Sequence, residues 1–201
     1  MWFELESRGA FLFLILFARQ ASALKYLFVP EDDDFFADCP KSSSNVLNVH
    51  GMADMSKLTL ARNNGKISIS GNSTMIWNIK PGDRIEMVGK LYQFVRGKWL
   101  QTPFSMTVPD SCPLLYDKPQ YWYKYWTRHI INAEDIKDKC FYPGTKLIHE
   151  PFDVNVVMQF TGLPLSGRYK IVTTFKAFDQ KNVQRDTSIC IEVFGEFERI
   201  N

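Results

Sequence analysis

What this chain lacks narrows its chemistry before its positive features are read. Its 201 residues contain no Gly-x-Ser-x-Gly elbow, no His-Glu-x-x-His pair, no phosphate-cradling glycine loop and no Gly-x-Gly-x-x-Gly fingerprint. The common catalytic constellations are therefore missing, and an enzyme is not expected. A secreted lipid hydrolase in particular would want the absent nucleophile elbow. Histidine is scarce, with His50, His129 and His149 scattered along the chain. Cysteine is limited to four residues, none in Cys-x-x-Cys spacing, which argues against zinc or thioredoxin-like chemistry, so no metal or cofactor is expected. An excess of one charge is missing too. Lys and Arg number 24 against 22 Asp and Glu, a formal net charge of +2 with the signs interspersed. That balance argues against a nucleic-acid surface or a polybasic membrane anchor.

What is present begins with a processing signal. Phe11 to Ala18 is an unbroken apolar run too short to span a bilayer, and Ala21-Ser22-Ala23 is a small-x-small cleavage site. Residues 1–23 read as a signal peptide, with secretion to the extracellular space as the consequence. Acidic Glu4 and Glu6 beside Arg8 keep an uncleaved anchor open as the alternative. Removing 23 of the 201 residues leaves 178, which suits one domain over residues 24–201. No later apolar stretch approaches membrane-spanning length, so no transmembrane segment is expected in the mature chain. Glu31-Asp32-Asp33-Asp34 lacks the further oxygen ligands at fixed spacing that calcium requires, and reads as a solvated segment.

The strand pattern is clearest at the end of the chain. Arg168 to Phe178 is rich in β-branched and aromatic residues, Asp179-Gln180-Lys181-Asn182 breaks it, and Thr187 to Glu198 returns. The returning run sets Ile189, Ile191, Val193 and Phe197 on one face and Glu192, Glu196 and Glu198 on the other, a dry side and a wet side. Cys190 falls in the wet register, where a thiol can reach another segment. Earlier, Asn63-Asn64-Gly65 signals a hairpin between Leu58–Ala61 and Lys66–Ser70. Thr74–Ile79, Arg84–Val95 and Lys98–Met106 also have strand length and composition, with Gly89 as a candidate bulge. Short strands, regular turns and no helical repeat imply an all-β fold, an immunoglobulin-like antiparallel sandwich of two sheets. Asn72-Ser73-Thr74 is a glycosylation sequon, which in a secreted chain places its turn in solvent.

Between Cys112 and Cys140 the pattern changes. Asp117 can cap a helix with Pro119 in its first turn. Tyr121, Trp122, Tyr125, Trp126, His129 and Ile130 then form one broad stripe at helical spacing. A strand would put aromatics on both faces, so a short helical, aromatic insert is the preferred reading. The stripe either plugs one end of the sandwich, as amphipathic helices usually do, or lines the mouth of an apolar cavity. Tyr and Trp suit a wet rim because each joins an apolar body to a polar handle. By position, Trp77, Phe104, Phe160 and Leu163 would extend the wall. His129 is the histidine placed to hydrogen-bond a ligand head group or respond to pH, although a surface or satisfied-core histidine is the commoner outcome.

Ser166-Gly167-Arg168-Tyr169-Lys170-Ile171, a charged turn, and Cys190-Ile191-Glu192-Val193 together resemble the closing strands of the ML lipid-recognition superfamily, the ganglioside-activator-like proteins. Within it, the chain from about Cys39 onward resembles the insect chemosensory CheB family. An even cysteine count in a secreted chain implies two disulfides, and sequence alone permits three pairings. The resemblance implies Cys39 with Cys190 and Cys112 with Cys140. It also implies an inter-sheet apolar cavity that takes a lipid, fatty-acid derivative or cuticular hydrocarbon, and a role in pheromone response beside a chemoreceptor or channel. The competing expectation is a secreted protein-recognition sandwich, or co-receptor, whose aromatic insert is an exposed patch with no cavity behind it.

Overall fold

The computed structural model describes residues 23–31, 35–40, 43–63, 66–162 and 164–200. The apolar leader through Ser22, Asp32–Asp34 of the acidic run, the Asn64-Gly65 turn and Leu163 lie outside these residues.

Two antiparallel sheets form a sandwich. The larger runs β7 (Lys98–Val108), β6 (Arg84–Val95), β10 (Arg168–Phe178), β11 (Gln184–Ile200), β1 (Leu24–Pro30) and β9 (Val156–Phe160). Short strands β2 (Ala37–Asp38) and β3 (Val46–Leu47) also pair with β11, β3 in parallel. The smaller sheet runs β4 (Ala53–Asn63), β5 (Lys66–Met75), β8 (Lys146–Val154). β8 and β9 are separated by Asn155 alone, so one nearly continuous strand crosses from the small sheet to the large one. A single turn of helix, α1 (Val49–Met52), leads into β4 with the Asn48 side chain accepting from the Gly51 amide.

The closing hairpin pairs residue for residue from Arg168↔Glu196 through Thr173↔Ile191 to Lys176↔Ser188, then shifts register before Phe178↔Gln184. Its odd-numbered positions point inward, so Ile189, Ile191 and Phe197 are buried against Phe175, Ala177 and Tyr169. Gly195 is required within it. A Cβ there would lie 2.5 Å from the Val29 carbonyl oxygen and 2.6 Å from the Phe28 ring, so only glycine admits that ring onto β11.

The inner face of the large sheet carries two apolar clusters. One gathers Trp77, Ile85, Met87, Phe175, Ile189 and Ile191 under the small sheet and the insert. The other, toward the opposite strand ends, gathers Tyr26, Phe28, Leu91, Tyr169 and Phe197, with Phe104 and Phe160 packed on it. Cys39 is bonded to Cys190, and Cys112 to Cys140.

Five expectations require correction. Thr74–Ile79 is not a strand of its own: β5 ends at Met75, and the amides of Ile76 and Trp77 turn away to the Met52 carbonyl. The irregularity in β6 against β7 falls between Lys90 and Tyr92, beyond Gly89, which stays in register opposite Met106. Asn72 lies in β5, the middle strand of the small sheet, and not in a turn. Glu192 is not on a wet face, being only 4% exposed and paired with Lys170 at 2.7 Å. Lastly, the aromatic helix is broken. Only α2 (Tyr121–Tyr125) is α-helical, with Gln120 and not Asp117 at its N-cap; Trp126 departs to φ −140°, ψ −70°, and a 3-10 turn follows over Thr127–His129. The Thr127 hydroxyl donates to the Leu115 carbonyl, a tertiary bond that a continuing helix would forgo.

A candidate ligand cavity between the sheets

The insert from Cys112 to Cys140 is held by polar side chains that satisfy main-chain groups within it and on the neighbouring strands. Trp122 Nε1 donates to the Leu114 carbonyl at 2.7 Å. The Tyr125 hydroxyl donates to the Val157 carbonyl at 2.8 Å and accepts from the Val157 amide at 3.1 Å. Asn132 does the same on β8: its Nδ2 donates to the Lys146 carbonyl and its Oδ1 accepts from the Ile148 amide. These contacts, with α3 (Ala133–Ile136) and the second disulfide, fix the insert as a third wall beside the two sheets.

Between the three walls lies a cavity of about 210 Å³. The large sheet contributes Met87, Phe175 and Ile191; the small sheet Ala53, Met55, Met75 and Leu147; the insert Leu115, Tyr116, Trp122 and Trp126. The lining is predominantly apolar, and four of its side chains, Met52, Met55, Met75 and Met87, are unbranched thioethers that adapt to irregular shapes. Among the wall hydroxyls, those of Ser111 and Thr127 donate to main-chain carbonyls. Burial pushes the Tyr116 phenol up to about 12, so it remains a protonated donor.

The cavity adjoins an open groove of about 660 Å³ along β4, and the two share Phe36, Val49, Ala53 and Met55. The groove continues over Leu58, Leu60 and Ile76, with His50, Asp54 and Ser56 as its polar residues. Phe36 is carried by the segment that β2 and the Cys39–Cys190 bond fasten to β11, and its ring meets Trp126 edge-on at 6.2 Å.

The residues singled out from the sequence are not gathered in one place. Trp122 and Trp126 stand on the cavity wall. Tyr125 anchors to β9, and Tyr121 stacks on it at 6.3 Å with an exposed outer face. Ile130 is buried and bridges to His149. His129 stacks flat on Phe152 at 4.0 Å and bonds Glu150 through Nδ1, away from the cavity lining. Trp77 is fully buried with its Nε1 donating to Thr187 Oγ1 at 3.0 Å, a core residue outside the cavity lining. Phe104 and Phe160 touch each other at 4.7 Å within the second cluster, so they do not join the tryptophans.

His149, which no sequence pattern marked, is the unusual histidine. It is 4% exposed, and neither ring nitrogen has a hydrogen-bond partner. Burial, with a smaller contribution from the neighbouring His129, lowers it to about 4, so it is neutral at physiological pH.

The fold and site define an all-β, disulfide-linked sandwich with an apolar inter-sheet cavity. No helix among the described residues is long and apolar enough to cross a membrane. No protein-family model matches the chain, and neither does any curated protein.

Proposed function

We propose that this protein binds a small hydrophobic or amphipathic molecule between its sheets, as a secreted carrier or presenter of pheromone-like lipids or hydrocarbons in chemosensation. One observation carries the binding reading: an apolar, methionine-rich cavity remains inside a core stapled by disulfides. Protein interiors ordinarily close-pack, so a retained void with adaptable walls is better suited to an occupant than to stability. Burial would supply the affinity, at about 0.8 kcal/mol for each methylene removed from water. The chemosensory setting and the secreted location rest on the resemblance to the CheB and ML proteins and on the leader sequence. The protein-recognition alternative is less well supported, because Trp122 and Trp126 turn into the cavity instead of forming an exposed patch.

Native mass spectrometry of the purified protein, followed by organic extraction, tests this reading. A stoichiometric apolar ligand is expected. A protein that is empty and also refuses lipid and hydrocarbon probes would refute it.

A further inference from the structure

Resting on that binding reading, the geometry points to a narrower ligand class: a small neutral amphiphile whose apolar part, of about eight carbons, fills the cavity, with a hydrogen-bonding head emerging past Phe36 and Met55 into the β4 groove. Size sets the first limit. A dry cavity of ~150 Å³ takes one benzene ring, so about 210 Å³ accommodates a short tail or a compact terpene-like skeleton, and not a long acyl chain. Continuity sets the route, because cavity and groove share Phe36, Val49, Ala53 and Met55, the last two on β4. The insert instead closes its own side, with Trp122 and Tyr125 tied to the Leu114 and Val157 carbonyls.

The groove sets the head group. Among the described residues its charged side chain is Asp54, whose Oδ1 accepts from the Ser56 amide at 2.9 Å, a bond that lowers its pKa and keeps it ionised. A carboxylate head would meet a like charge there, whereas an alcohol finds acceptors and donors in Asp54, Ser56 and His50.

Titration calorimetry with straight-chain primary alcohols from butanol to hexadecanol, and with octanoate, tests each part. Affinity should rise about fourfold per methylene as far as octanol and then stop rising. A rise that continues through hexadecanol overturns the size limit while leaving the carrier reading intact. If no alcohol binds and extraction yields no ligand, the carrier reading itself fails. Octanoate should bind more weakly than octanol, and Asp54→Asn should strengthen octanoate and narrow the gap between the two; equal octanoate binding before and after the substitution overturns the head-group assignment. For the route, Met55→Trp should slow octanol association and Phe36→Ala should speed it, with Tyr121→Ala neutral. Sensitivity to Tyr121 and indifference to the other two would place the entrance at the insert.

Discussion

The indole of Trp126 meets the imidazole of His149 edge-on, with ring centroids 5.0 Å apart, so a cavity-wall residue leans on a buried histidine without hydrogen-bond partners. His129, paired with Glu150, is the nearby titratable group that adds to burial in lowering His149.

Acid should therefore weaken the fold through His149. Its folded pKa of about 4 lies below the ordinary 6.5, so between those values the unfolded chain binds more protons and stability falls as pH falls. The loss from pH 7 to pH 4 should be about 3 kcal/mol. Urea denaturation across this range, compared between the native chain and His149→Leu, isolates the effect from other titrating groups. Parallel pH profiles for the two proteins would dismiss it.

Lys170 and Glu192 form an ion pair on the outer face of the large sheet, with side chains only 10% and 5% exposed. The Lys170 ammonium also lies 5.2 Å from the centre of the Trp99 ring. Lys170→Met alone should cost about 3–5 kcal/mol by leaving a buried carboxylate unpaired. Lys170→Met with Glu192→Leu should recover most of that loss. Equilibrium unfolding of both variants is the measurement, and an equally unstable double mutant would contradict the prediction.

Tyr125→Phe removes one hydroxyl that serves both the donor and the acceptor of Val157. The expected destabilisation is about 1–3 kcal/mol. Hydrogen exchange at the Val157 amide should accelerate in the variant; unchanged protection there would mean that water or another group replaces the phenol without loss.

The Cys39–Cys190 bond spans 151 residues of sequence, and opening it should cost up to about 5 kcal/mol by the chain-entropy model. The bond between Cys112 and Cys140, with a separation of 28, should cost less, about 3.6 kcal/mol. Thermal melts of the paired Cys→Ser variants give the order directly.

The strands that read cleanly in the sequence were those of strand length and composition set off by turn residues: β6 and β10 have the bounds expected of them, and β7 runs two residues further. β1 was hidden because Leu24–Pro30 follows directly on an apolar leader. β8 and β9 were hidden because Glu150, Pro151 and Asp153 interrupt their alternation. Two of the aromatic wall residues were legible from helical spacing, since Trp122 and Trp126 still face one way across the break. The groove beside the cavity was not legible. Phe36, Val49 and Met55 converge only through β2, β3 and a long-range disulfide, and no periodicity encodes that approach.

The near-continuous passage from β8 to β9 gives the sandwich a spine. With Asn155 alone between the two pairings, the sheets are stitched together along that side as the leaves of a book are bound. β4 lies at the opposite edge of the small sheet, where β5 is its partner strand among the described residues. Any breathing that admits a guest is thereby directed to the fore-edge, and a covalent clasp from β4 to the facing segment would trap whatever had already entered.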